Sequence, residues 1–310
     1  MLFRSARAIL ISARPWQWLK NLSLFAAAFF GGDLFKLGFL PKLFWAFVAF
    51  CLLSSTAYLI NDIRDRKKDQ KHPTKKKRPI ASGELSVGWA VVVAAVLGIG
   101  TLTYTYISFN AYFFLVSVAF IILQLSYSFL IRDVIILDAL WVAAAFVLRV
   151  YAGAFVIPTP ISAWLILSVI GLSLLLAFGK RRSERTLLSK LHKRLLTRET
   201  LRHYPDTLLD SMIAMSSSYT ALAYSIFAFQ SSPEGASYLA GILPATLASP
   251  KWALLTVPLV LYGIARYLFV IYEKKEGESP EKVLITDLPL LAVVLVWVFT
   301  SFVIVYSLGD

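Results

Sequence analysis

Long apolar runs separated by short polar breaks set the pattern of this chain. Nine of them, at about 16–32, 42–60, 87–107, 111–131, 134–157, 161–179, 207–230, 252–272 and 288–308, approach the ~20 apolar residues that a helix needs to cross a ~30 Å hydrocarbon core. Backbone groups in lipid must be satisfied within the segment, so the runs are read as helices. The expectation is an all-α polytopic membrane protein, a nine-transmembrane-helix bundle forming one membrane domain over 1–310. Composition agrees: 58% of residues are hydrophobic and 16% charged, against about 25% charged in a soluble domain.

The polar breaks are not equivalent. Of 31 Lys and Arg, only Lys36, Lys42 and Lys251 fall in one alternate set of loops, and Arg149 and Arg266 lie inside runs. The rest belong to the N-terminus and to 61–86, 131–133, 180–206 and 273–287. That bias places those segments in the cytoplasm, the N-terminus inside and the C-terminus outside. The net charge of +13 then follows from topology before any partner, and nucleic acid is not indicated. The expected location is the cell (inner or plasma) membrane, with the functional loops facing the cytoplasm. MLFRSARAILISARPWQWLKN lacks the layout of a cleaved signal. Phe3, Ile9 and Leu10 with Arg4, Arg7 and Arg14 read as a short interfacial helix, and Trp16 and Trp18 suit the headgroup level. The lone Cys51 gives neither a disulfide framework nor a cysteine metal site. In 180–206, Leu187, Leu188, Leu191 and Leu195 have helical spacing. That segment is either an amphipathic helix over the cytoplasmic mouth or a solvated connector.

The candidate chemistry sits in INDIRDRKKDQKHPTKKKRPIASG, residues 60–83. Asp62, Asp65 and Asp69 are spaced three and four apart and share one helix face. One reading is a salt-bridged helix end, neutralised by Arg64, Arg66, Lys67 and Lys68. Three features favour a site instead. Asn61 adds an uncharged oxygen, Asp62 stands where a membrane run ends, and HPTKKKRP brings cations to the same place. Carboxylates beside excess cations suit a magnesium–diphosphate complex, because Mg²⁺ takes one or two carboxylates together with phosphate oxygens. Lys and Arg take the remaining phosphate charge. No EF-hand loop, Walker motif, nucleophile elbow or dinucleotide fingerprint occurs.

Other polar positions need an explanation. Asp138 and Arg149 lie in one run, eleven residues apart, and should face the bundle interior as an interhelical pair or as ligand contacts. GKRRSER at 179–185 surrounds Glu184 with Lys180, Arg181, Arg182 and Arg185, and Gly179 would let backbone approach an anion. Lys20, Arg14, Tyr127 and Arg132 face the same compartment. Arg266 is expected to snorkel. His72, His192 and His203 have no metal-ligand spacing and read as solvated loop residues.

Asn61-Asp62-x-x-Asp65-x-x-x-Asp69 resembles the NDxxDxxxD motif of the UbiA superfamily of intramembrane prenyltransferases, and nine spans with the N-terminus inside fit it too. In place of that superfamily's second aspartate-rich motif the chain has GKRRSER. In this it is similar to the decaprenyl-phosphate phosphoribosyltransferase branch, as it is at RPWQWLKN (14–21), HPTKKKRPIASG (72–83), YSFLIRDVIILD (127–138), LRVYAGA (148–154), FGKRRSE (178–184) and RYLFVIYEKKEGESPEKVLITDLPL (266–290). The resemblance implies phosphoribosyl pyrophosphate as donor, a polyprenyl phosphate as acceptor and Mg²⁺ as cofactor. It implies Asp62, Asp65 and Asp69 as metal ligands, Asp62 and Asp65 as the catalytic pair, and Asn61 in support. Lys20, Lys75, Arg78, Lys180 and Arg181 would contact phosphates, and Tyr127, Asp138 and Arg149 would line the cavity. Two alternatives stay open: a prenyltransferase acting on an aromatic or lipophilic acceptor, and a lipid-phosphate transporter.

Overall fold

The computed structural model describes residues 2–72, 74–190, 204–232, 251–274 and 280–307. The described residues form helices and turns, with no strand. An N-terminal helix α1 (Leu2–Ala13) leads into a 3₁₀ segment (Pro15–Phe25) that continues as α2 (Ala26–Phe30). Then come α3 (Phe39–Gln70), the short α4 (Pro79–Ser82), α5 (Val87–Ser108), α6 (Ala111–Ser126) and α7 (Leu137–Val156). The chain continues with α8 (Ala163–Lys190), α9 (Asp206–Gln230), α10 (Val257–Phe269), α11 (Pro280–Thr286) and α12 (Leu288–Ser307). Among the described residues, 8 helices are long and apolar enough to span a membrane.

The first expected run, 16–32, is not among those eight. Pro15 starts it as a 3₁₀ segment with Lys20 and Asn21 inside, and Gly31 and Gly32 end it early. Its polar content and close backbone packing explain the departure. The Leu24 carbonyl oxygen lies 1.7 Å from where a Cβ on Gly153 of α7 would stand, so only glycine admits this approach. Two expectations are corrected. The segments 61–70 and 180–190 are not loops but the ends of α3 and α8. A helix does not stop where the lipid stops unless a breaker stops it, and neither stretch contains Pro. The remainder of the expected amphipathic stretch, 191–203 with Leu191 and Leu195, lies outside the described residues, as does 233–250.

Consecutive helices are neighbours. Helix α5 packs on α3, α6 on α5 and α7, α8 on α7 and α9, and α10 on α9 and α12. Helix α12 meets α2, which with the 3₁₀ segment returns to α7 and α3 and closes the ring. Of the eight spans α3 is the most buried, 61% of its apolar window against 22% for α5, α6, α10 and α12. The chain thus places its aspartate-bearing helix at the centre and its least buried helices at the periphery. Helix α1 rests on α3 and α4 through Ala8, while Leu10 and Ile11 stay exposed.

Candidate active site

At 32 residues and 1.5 Å per residue, α3 is ~48 Å long, so its last third projects beyond a ~30 Å core. That third carries Asn61, Asp62, Asp65 and Asp69. Lys67 and Lys68 in its last turn suit the negative end of the helix dipole. The chain then doubles back. His72 Nδ1 accepts from the Thr74 and Lys75 backbone N–H groups, both at 3.3 Å, so this histidine organises the turn rather than standing free in solvent. Burial and then the charge of Lys75 lower its pKa. Arg78 precedes Pro79 at the start of α4, and Gly83 at φ +84 ends it. Ile80 is anchored beside Leu59, which turns Arg78 onto the carboxylates.

Each aspartate meets an arginine. Arg78 Nη1 donates to Asp62 Oδ1 at 2.9 Å and to Asp69 Oδ2 at 2.7 Å. Arg14 also donates to Asp62 and stacks over Tyr58, 5.2 Å from the ring centroid. Arg132 donates to Asp65 and reaches Asn61 Oδ1 at 3.5 Å. Asp62 and Asp69 are buried, at 2% and 5% exposure, where breaking a pair by removing one partner is strongly destabilising. Burial pulls Arg14 below its ordinary pKa, with Asp62 opposing. For Arg132 burial again acts downward and is the largest single effect, but the hydrogen bond it donates to Asp65, together with the charges of Asp65 and Asp133, outweighs it and the pKa rises. Both carboxylates on Arg78 use one nitrogen, which leaves Nε and Nη2 of its planar fork for other oxygens.

A second cluster forms beside it. Arg181 on α8 donates from Nε to Asp138 Oδ2 at 2.7 Å, from Nη1 to Glu184 Oε2 at 2.9 Å and from Nη2 to Tyr127 Oη at 3.3 Å. The Tyr204 hydroxyl donates to Asp138 Oδ1 at 2.8 Å and accepts from the Ile136 N–H at 2.6 Å. Burial, then the charge of Asp138, holds the Tyr204 pKa well above its ordinary value, so it remains a donor. Among the described residues the non-glycine positions with positive φ are Arg14 and Ile136, at 54° and 68°. One touches Asp62 and the other starts α7 two residues before Asp138. Backbone held in such regions is over-determined by its surroundings and concentrates at functional sites.

Asp138 and Arg149 are both interior, yet they do not pair with each other. Asp138 takes Arg181. Arg149 lies deeper and donates from Nε to Asn21 Oδ1 at 2.7 Å and from Nη1 to the Ala145 carbonyl at 2.8 Å. Its guanidinium lies over Phe120 and Phe146, 4.7 and 5.3 Å from the ring centroids, a favourable cation–π arrangement. No carboxylate among the described residues forms an ion pair with it. Lys20 pairs with Glu281 Oε1 at 3.6 Å. Lys75 is exposed in its turn, and Lys180 is half-buried on α8. Gly179 does not present backbone to an anion. It is helical, and a Cβ there would lie 2.6 Å from Ile271 Cδ1 and 3.0 Å from Tyr267 Oη, so its role is close helix packing. Arg266 holds Asp287, the residue before α12, bidentately at 2.9 and 3.0 Å.

Among the described residues, no three acidic, histidine or cysteine side chains form a ready-made metal cage. The donors on α3 are all hard oxygens, and Asp62 and Asp69 converge on a single nitrogen. This set fits Mg²⁺, which needs only one or two protein carboxylates when phosphate oxygens complete its shell.

The UbiA prenyltransferase family pattern matches residues 21–187, and the chain belongs to that family. A decaprenyl-phosphate phosphoribosyltransferase from Mycobacterium tuberculosis (strain CDC 1551 / Oshkosh) is 32% identical over 93% of this chain and 90% of its own length. One from Corynebacterium glutamicum is 30% identical over 97% of this chain and 87% of its own. A UbiA homolog from Archaeoglobus fulgidus, solved bound to DMAPP and Mg²⁺, superposes with a TM-score of 0.66 at 19% identity, covering 96% of this chain and 99% of that one. The chain is therefore an integral membrane transferase of the UbiA fold.

Proposed function

We propose that this protein transfers 5-phosphoribose from phosphoribosyl pyrophosphate to a polyprenyl phosphate, releasing pyrophosphate at the cytoplasmic face of the membrane. The observation that carries the reading is the pairing of three buried or half-buried aspartates with Arg14, Arg78 and Arg132. Alongside it stands a cationic α8 where prenyl-diphosphate chemistry would use a second acid motif. The names of the mycobacterial and corynebacterial relatives support the same donor and acceptor. The 3₁₀ segment with α2 rises ~30 Å at ~2.0 and ~1.5 Å per residue, which supports its being a ninth crossing, with the N-terminus inside, in one membrane domain.

In this reading Arg78 and Lys75 receive the diphosphate, and Lys20, Lys180 and Arg181 receive the remaining phosphates. Asp62, Asp65 and Asp69, with Asn61, would hold Mg²⁺, which when bound neutralises leaving-group charge. The C1–O bond to the diphosphate breaks as an acceptor phosphate oxygen bonds to C1; the electron pair of the broken bond leaves on pyrophosphate. The acceptor is already anionic at neutral pH, so no side chain has to remove a proton. The chain's contribution is positioning and preorganised charge in a site sheltered from water. Purified protein in liposomes with labelled donor and polyprenyl phosphate should form a phosphoribosyl lipid, and Asp62→Asn should form none while still inserting. Wild-type turnover by Asp62→Asn would refute the role of the carboxylate.

A further inference from the structure

Three buried oxygens near the phosphate-binding residues have no hydrogen-bond partner among the described residues: Tyr267 Oη, Ser183 Oγ and Glu281 Oε2. Their residues are 4%, 0% and 9% exposed. They belong together. The Tyr267 hydroxyl lies over Gly179, 3.0 Å from where a Cβ would stand, and Ser183 is one turn further along the same face of α8. Glu281 acts electrostatically on Tyr267, and Val283, two residues further along α11, packs in the same apolar cluster as Tyr267 and Ile271. Glu281 Oε1 meets Lys20 at 3.6 Å.

An unsatisfied buried polar atom is costly, and such atoms in a native structure point to a missing partner. The chemistry of this set selects the partner. Two hydroxyls and a carboxylate oxygen offer acceptors in excess, so the partner must bring hydrogen-bond donors. A phosphate brings none and would be repelled by Glu281. An isoprenoid chain brings none and would leave all three oxygens unpaired. A sugar diol brings two. The location is suitable as well: Arg14, at the carboxylates, immediately precedes the 3₁₀ segment that carries Lys20, at Glu281, and six residues at ~2.0 Å each put them ~12 Å apart. A pentose with phosphates at both ends spans that order of length.

We infer that Glu281, Tyr267 and Ser183 form the subsite for the vicinal ribose hydroxyls of the donor, with Glu281 accepting from the diol. This rests on the phosphoribosyl reading and identifies the part of the site that distinguishes a ribosyl donor from a prenyl one. The test uses the full chain in liposomes and two stable probes, ribose 5-phosphate and 2-deoxyribose 5-phosphate. They are read as competitors of the donor and, independently of turnover, as thermal-shift ligands. Wild-type protein should bind the ribose compound about tenfold or more tightly, the range expected for losing a hydrogen bond to a charged group. Glu281→Gln should largely close that gap and raise the donor KM, with the KM for polyprenyl phosphate unchanged. Tyr267→Phe removes a hydroxyl that has no hydrogen-bond partner among the described residues, so it should raise donor KM without lowering the unfolding temperature. It decides the matter if Glu281→Gln does not fold. A wild-type protein that does not discriminate the two sugars, or variants that keep the full gap, would overturn the assignment, as would a loss confined to the lipid KM. Wild-type protein that discriminates the sugars yet makes no phosphoribosyl lipid would refute the reaction and leave the subsite standing.

Discussion

Replacing Gly153 by alanine isolates the contact that seats the first membrane segment. The added Cβ would stand 1.7 Å from the Leu24 carbonyl oxygen and 2.7 Å from its carbon. Both are backbone, so no side-chain rotation relieves the clash. Restoring even 3.0 Å demands a displacement of ~1.3 Å, the difference between the two distances. One turn away on both elements, Arg149 Nε holds Asn21 Oδ1 at 2.7 Å, and Lys20 is the next residue. The displacement therefore acts on the segment that carries Arg14 and Lys20. Overpacking of this kind costs ~1–3 kcal/mol of stability, and a 1 Å misplacement remote from the chemistry can cost ~10²-fold in rate. Gly153→Ala should lower the unfolding temperature in detergent and reduce kcat/KM by about two orders of magnitude. Gly100→Ala, where nothing lies within 4 Å of the new Cβ, should do neither. A Gly153→Ala protein as stable and active as wild type would refute the argument.

Three further outcomes are expected. Arg78→Lys keeps the charge but not the planar fork that serves Asp62 and Asp69 and, in the proposed function, a phosphate as well, so the donor KM should rise roughly tenfold or more; steady-state kinetics check this. Tyr204→Phe leaves the Ile136 N–H without its acceptor and takes one donor from Asp138, and should cost about 1–3 kcal/mol in equilibrium unfolding. Asp287 is held well below the usual carboxylate range, first by the Arg266 hydrogen bonds, with Lys274 and the Leu290 N–H adding to them against the opposing effect of burial. Its folded pKa is depressed, so its stabilisation is complete above the ordinary aspartate value and fades as pH falls from about 4 toward the folded pKa. The difference in unfolding temperature between wild type and Asp287→Asn should therefore shrink on acidification below about pH 4.

What the sequence displayed best was depth. Apolar runs located eight of the helices, and the concentration of charge at one set of run ends marked the candidate site, because a cation or carboxylate is expensive in lipid. The arginine partners of the aspartates were less legible. Arg14 and Asp62 are 48 residues apart and Arg132 and Asp65 are 67 apart, so their contact depends on helix packing rather than spacing. Tyr204 gave no signal beyond a tyrosine in a polar stretch; only the folding of the segment that leads into α9 onto the start of α7 makes it a partner of Asp138. GKRRSER read as a loop because hydropathy falls at 179, whereas backbone hydrogen bonding continues to 190. Gly179 was expected to face an anion, and it faces Ile271 and Tyr267.

The central claim is tested most directly by identifying the lipid product. Full-length protein in liposomes is supplied with phosphoribosyl pyrophosphate, polyprenyl phosphate and Mg²⁺, and the extracted lipid is weighed by mass spectrometry while pyrophosphate is assayed in the aqueous phase. The account predicts a polyprenyl phosphate heavier by one phosphoribosyl group, with one pyrophosphate released per lipid formed. An unmodified lipid pool, or a product in which a prenyl group has been transferred from its diphosphate to another acceptor, would contradict it.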